Sequence, residues 1–175
     1  MINDFNIIAT TARGNERPMI NEILHLLKEE LGDAQAQASK TKIRGLIVAK
    51  TIHNPYEAME KLRTILTERP YEFRYALRIV PIERVVQTNL TDIKKTAEEL
   101  ATRIAENQTF RVTIEKRFTE LHSKDLIEAA AGEIKRKVDL KNPDLILQIE
   151  VLGALTGISL LKPTDILAVI KEKML

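Results

Sequence analysis

Residues Thr109–Leu161 read TFRVTIEKRFTELHSKDLIEAAAGEIKRKVDLKNPDLILQIEVLGALTGISLL, and this stretch decides the fold of the second half of the chain. Phe110, Val112 and Ile114 alternate with Arg111, Thr113 and Glu115, the period-two pattern of a half-buried strand. Ser123 predicts a helix cap. Leu126, Ile127, Ala130, Ala131, Ile134 and Val138 then recur at helical spacing and predict the buried stripe. Leu147, Ile149 and Val151 alternate with Gln148 and Glu150 as a second strand, Gly153 breaks the chain, and residues 157–161 return as a third. Basic residues stand at the joints, with no catalytic motif among them.

Working outward, Ile93, Ala97, Leu100 and Ile104 line one face of a helix capped by Thr91 and ended near Asn107. Residues 82–90 carry no period and read as a linker. Beyond Leu161, Pro163 and Asp165 open a short last helix with Ile166, Leu167 and Ile170 inward. The first half begins with a strand over 5–10 and a loop, TARGNE. Pro18 then sits in the first turn of a helix whose stripe is Met19, Ile20, Ile23, Leu24, Leu27 and Leu31, with Gly32 as its stop. Ala34, Ala36 and Ala38 give a weak strand, and residues 46–49 a stronger one. Asn54 followed by Pro55 and Glu57 is a helix start, and the helix ends before Pro70. Residues 74–82 close the set as a strand. The order β-α-β-β-α-β is the split βαβ, or ferredoxin-like, pattern. The expected class is α/β of the α+β kind, with one domain over 1–85 and another over 86–175.

Composition narrows the function classes. The 175 residues are 44% hydrophobic and 30% charged, as in an ordinary globular chain. There is no cysteine, which excludes disulfides, thiolate chemistry and cysteine-ligated metal. No apolar run reaches the ~18 residues of a membrane-spanning helix. The N-terminus lacks a basic region ahead of its apolar run, so the expected location is the cytoplasm, without a secretory signal or membrane partner. With 27 basic and 25 acidic residues, any nucleic-acid surface must come from local segregation of charge.

Glycine-rich phosphate loops, H-E-x-x-H and G-x-S-x-G are absent, so the sequence predicts no catalytic residues, no metal and no cofactor. His25, His53 and His122 fall on different elements. The neighbouring pairs Glu29/Glu30 and Glu98/Glu99 diverge by about 100° on a helix and read as solvated faces. The expectation is therefore a protein that is not an enzyme.

Three basic clusters remain. Lys116 and Arg117 end the strand that starts at Phe110, and alternation sets Arg111 and Arg117 opposite Phe110. Lys135, Arg136 and Lys137 close the following helix, where cations also complement the helix dipole. Lys40, Lys42 and Arg44 decorate a turn, for which a plain solvated hairpin is the favoured reading. Aromatics are only 4%, so backbone and shape recognition suits better than base stacking.

The segments TFRVTIEKR, SKDLIEAAAGEIKRKVDLKNPDLILQIEVLG and TGISLL together resemble the THUMP domain. The matching positions are Phe110 and Val112; Ser123, Ala130 and Ala131; Val138, Asp139, Leu140, Asn142, Pro143 and Asp144; and Ile149, Glu150 and Val151. In the first half, Arg13, Gly14 and Glu16 match an R-G-x-E turn, and Arg78, Pro81 and Ile82 an R-x-x-P-[IV] strand, of the stand-alone THUMP proteins that assist tRNA acetylation. The resemblance implies a ferredoxin-like domain ahead of a THUMP domain and binding of tRNA by its acceptor end. It further implies an adaptor that presents tRNA to a separate RNA cytidine acetyltransferase making N4-acetylcytidine. Phosphate contacts are then expected from Arg13, Arg78, Arg111, Lys116, Arg117, Lys135 and Arg136. The alternatives are an RNA-binding subunit for a different tRNA-modifying enzyme, methyltransferase or sulfur-transferring, and a small RNA-modifying enzyme with a composite site.

Overall fold

The computed structural model describes residues 1–174. They form two compact units: Met1–Ile82 together with the chain from Asp165 onward, and Glu83–Thr164.

The first unit runs β1 (Ile7–Thr10), α1 (Glu16–His25), β2 (Gln37–Lys40), β3 (Leu46–Lys50), α2 (Pro55–Glu68) and β4 (Arg78–Pro81). The strands lie in the order β4-β1-β3-β2, every neighbour antiparallel, which is the ferredoxin-like arrangement. Ile7, Ala9, Ile47, Ala49 and Ile79 face Met19 and Ile23 of α1 and Met59, Leu62 and Leu66 of α2 in one apolar core. The Asn54 side chain accepts the Tyr56 and Glu57 N–H groups at 2.9 and 3.3 Å, so α2 starts as its sequence predicts. Past α1 the helix widens into a π turn over Leu26–Glu30, and Gly32 ends it with φ of 74°. The strand expected over 74–82 is shorter, because the Glu22 carboxylate accepts the N–H groups of Arg74, Tyr75 and Ala76 at 2.6, 3.1 and 2.9 Å. Those donors are taken by a side chain before a strand partner can use them.

The second unit runs β5 (Arg84–Gln87), α3 (Leu90–Ala101), β6 (Thr109–Arg117), α4 (Ser123–Ala131), β7 (Lys137–Val138), β8 (Leu145–Leu152) and β9 (Leu155–Leu161). Its sheet order is β5-β9-β8-β6-β7, with β6 parallel to β7 and β8, and the remaining pairs antiparallel. Ile93, Ala97 and Leu100 of α3 and Leu126 and Ala130 of α4 cover Phe110, Leu147, Ile149, Val151 and Ile158.

Four expectations are corrected here. The linker over 82–90 contains β5, an edge strand whose adjacent Val85 and Val86 show no alternation. The cap of α3 is Asn89, whose side chain accepts the Asp92 N–H at 2.8 Å, and the helix stops at Ala101. Ser123 lies inside α4 behind His122, with no side-chain cap bond. Finally, α4 ends at Ala131, so Lys135 to Lys137 leave the helix, and Val138 is 53% exposed on β7 instead of buried in a stripe.

The chain then returns to the first unit. β10 (Leu167–Ala168) pairs with β4, Leu167 opposite Ile79 and Ala168 opposite Arg78, and α5 (Val169–Lys173) follows. Leu167 of β10 and Val169, which opens α5, join the first core, while Ile170 in the first turn of that helix is 56% exposed instead of turned inward. The Arg63 guanidinium holds the Glu172 carboxylate at 2.9 Å and the Ile166 carbonyl at 3.1 Å. The domain expected over 86–175 includes this tail. Its pairing with an open strand edge, which nothing local in its sequence announces, places it in the other unit.

Candidate nucleic-acid interface

β6 carries Arg111, Lys116 and Arg117. Arg111 donates to the Leu140 carbonyl at 3.0 Å, and Lys116 to the Leu121 carbonyl at 3.2 Å. Arg117 donates to Glu150 at 2.8 Å, and the Gln148 amide donates to the other oxygen of that carboxylate at 3.0 Å. The Glu150 side chain is wholly buried and that of Arg117 partly so, at 0% and 18% exposed. Arg117 is therefore first the counter-ion of a buried carboxylate. Arg117→Ala is expected to cost about 1.5–3 kcal/mol in urea unfolding, because it removes a charged hydrogen bond from a desolvated group. Unchanged stability would show that the pair contributes nothing to the fold.

Beyond α4, Lys135 is exposed and forms no ion pair among the described residues. Arg136 is half-buried and donates to the Ile104 carbonyl at 3.0 Å. The two border a cleft of about 300 Å³ shared with Glu98 and Glu133, so the local charge there is mixed. The V-D-L-x-N-P-D run is architectural. The Asp139 carboxylate accepts the Asn142 and Lys141 N–H groups, both at 3.0 Å, and these bonds hold its pKa below the usual range. Asp144 accepts the Thr109 N–H at 2.8 Å and so fixes the start of β6.

The first unit contributes Arg78, half-buried on β4, and Arg13, exposed in the loop after β1. That loop is tied to the β2–β3 turn at one residue. The Gly45 N–H donates to Glu16 Oε1 at 2.7 Å, and the Gly45 carbonyl accepts the Thr11 N–H at 2.8 Å. The Gly45 bond leads the causes that lower the Glu16 pKa, with Lys40 contributing least. The R-G-x-E turn thus owes its glutamate to a backbone anchor on another segment, which no local pattern in the sequence reveals.

Elsewhere His25 Nε2 lies 3.3 Å from Glu72 and 3.8 Å from Glu30, a grouping its sequence position concealed. Arg69 holds the same two carboxylates at 2.6 Å (Glu30) and 3.4 Å (Glu72), so the cluster is an ion-pair network around a guanidinium.

Residues 87–161 match the THUMP domain and form one. Among the relatives found, THUMP domain-containing protein 1 of Mus musculus is 25% identical over 162 residues, covering 78% of this chain and 45% of that protein. The chain thus spans less than half the length of the curated relative it matches. PH1313 from Pyrococcus horikoshii Ot3 shares the fold with a TM-score of 0.63 at 22% identity, over 91% of this chain and 55% of that one. A chain described as a possible methylase from Clostridium difficile 630 shares it with a TM-score of 0.51 at 14% identity, over 93% of this chain and 42% of that one.

The last comparison corrects the expectation of a protein that is not an enzyme. The fold of these residues occurs within a chain described as a possible methylase, so the missing motifs exclude no enzymatic role. Among the described residues, no helix is long and apolar enough to cross a membrane.

Proposed function

We propose that the chain binds tRNA by its acceptor end in the service of cytidine acetylation, delivering it to an RNA acetyltransferase that makes N4-acetylcytidine in the cytoplasm. One observation carries this reading. The similarity to THUMP domain-containing protein 1 covers 78% of the chain, well beyond the residues 87–161 of the THUMP domain itself. Arg111, Lys116, Lys135 and Arg136 supply phosphate contacts from the second unit and Arg13 and Arg78 from the first, while Arg117 is engaged with the buried Glu150.

Fluorescence anisotropy with intact tRNA and with tRNA lacking its 3′ end tests the mode of binding. Affinity is expected to fall about ten-fold or more on trimming, the loss of one or two good contacts at about 1.4 kcal/mol per ten-fold. Equal affinity for both would rule out acceptor-end recognition. Mass spectrometry of tRNA nucleosides from a deletion strain tests the reaction served. Loss of N4-acetylcytidine supports the reading, and loss of a methylated or thiolated nucleoside in its place assigns the chain to another modifying enzyme.

A further inference from the structure

A concentration of positive charge without ion pairs among the described residues lies in the first unit, outside residues 87–161. Arg13 from the loop after β1, and Lys40, Lys42 and Arg44 from the β2–β3 turn, border one open cleft of about 420 Å³. All four residues are exposed. None of them forms an ion pair or a side-chain hydrogen bond among the described residues, in contrast to Arg63, Arg69 and Arg117. A plain solvated hairpin is the reading the turn's sequence favours, but its charges gather beside Arg13, from a segment about thirty residues earlier.

The cleft is held in shape. The Thr41 hydroxyl accepts the Ile43 N–H at 3.1 Å and donates to the Leu46 carbonyl at 2.9 Å, so the turn is bonded across its own width. Gly45 ties it to the opposite wall through Thr11 and Glu16, as described above. Glu16 is the single carboxylate in the lining, and its Oε1 faces the Gly45 N–H. Four cations therefore stand against one acid whose charge is largely spent on the backbone. Ile43 is the one apolar side chain in the lining. Guanidinium and ammonium donors converging from two anchored segments suit phosphate oxygens.

We infer that this cleft is a second nucleic-acid contact, one that grips sugar–phosphate backbone of the tRNA through Arg13, Lys42 and Arg44, with Lys40 beside them. The inference rests on the tRNA-binding reading and extends its Arg13 contact into a built site by adding Lys42 and Arg44 of the β2–β3 turn, with Lys40 beside them. The site reads charge and spacing and no base identity, so its contribution is independent of sequence.

The test compares three full-length proteins: the native chain, the cleft variant Arg13→Ala/Lys42→Ala/Arg44→Ala, and a control Lys28→Ala/Lys61→Ala/Lys171→Ala. The control removes the same charge from exposed positions outside the cleft. Circular dichroism and thermal melting confirm that each is folded, and tRNA affinity is then measured across a salt series. Each lost phosphate contact lowers the log–log salt slope by about 0.7–0.9, so the cleft variant is expected to lose about 2 to 3 from the slope, and about ten-fold or more in affinity at moderate salt. The control is expected to keep the native slope.

Native binding with an unchanged slope in the cleft variant overturns the cleft and leaves the tRNA reading intact. An equal loss in the control overturns it too, since net charge alone would then suffice. A native chain that binds no tRNA at low salt overturns both. Inorganic pyrophosphate serves as a small-anion probe: binding lost in the cleft variant, with its tRNA slope unchanged, would assign the cleft to a free anion and overturn the backbone contact.

Discussion

Alanine in place of Gly45 is expected to destabilise the first unit by about 2–4 kcal/mol, from left-handed backbone strain and a steric clash together. Gly45 has φ of 78°, and a Cβ built there would stand 2.7 Å from the Thr11 carbonyl oxygen. That neighbour is backbone, in the loop that Gly45 anchors through its own carbonyl, so relief requires the anchor to give way. Gly32→Ala is the matched control. It has a comparable φ of 74° with nothing within 4 Å, so it carries the conformational cost alone, about 1 kcal/mol. Urea unfolding of the two variants separates strain from clash, and equal losses would dismiss the steric argument. Gly45→Ala also loosens one wall of the basic cleft, so its tRNA affinity is expected to fall with its stability.

Replacing Asp33 by asparagine is expected to cost about 2–4 kcal/mol at neutral pH, because charged hydrogen bonds to a buried group are lost together. Asp33 is 0% exposed. One oxygen accepts the Thr51 hydroxyl at 2.7 Å and the Ile52 N–H at 2.8 Å, and the other accepts the Gln35 N–H at 3.0 Å. It joins the end of α1 to the link between β3 and α2. Burial pushes its pKa up, but the bonds from Ile52, Thr51 and Gln35 outweigh burial and leave it lowered. A lowered folded pKa gives stability that is complete above the ordinary aspartate value, about 3.9, and is lost as pH falls through the folded value. The gap between the native chain and Asp33→Asn should be widest from about pH 5 to 7 and narrow below about pH 4. Urea midpoints measured across that range check it, and a gap that stays constant into acid would remove Asp33 as the titrating group.

Neither residue stood out in the sequence. Gly45 follows a charged turn, and Asp33 follows a helix-stopping glycine, where an acid draws no notice. Each matters through a partner far along the chain, Glu16 for one and Thr51 for the other. The same holds for Arg117. Strand alternation places it on the right face of β6, but only the packed sheet sets it against the buried Glu150.

What the sequence determined by itself is the order of elements and most of their faces. Hydrophobic periods of two and 3.6 are local, as is the cap at Asn54, and they suffice for β-α-β-β-α-β followed by the strand, helix and hairpin of residues 109–161. What only the tertiary structure decided is how strand edges are filled and which charges are spent. β7 and β10 are too short to carry a period, β5 shows none, and all three exist because a sheet edge offers them partners. The helix cations expected at Lys135 to Lys137 lie past the end of α4. The exposed cations of Arg13, Lys42 and Arg44 come together because one glycine and one glutamate join two loops. Apolar burial leaves its record in neighbouring residues, whereas a hydrogen bond between distant segments leaves none, and the candidate site is built from the second kind of contact.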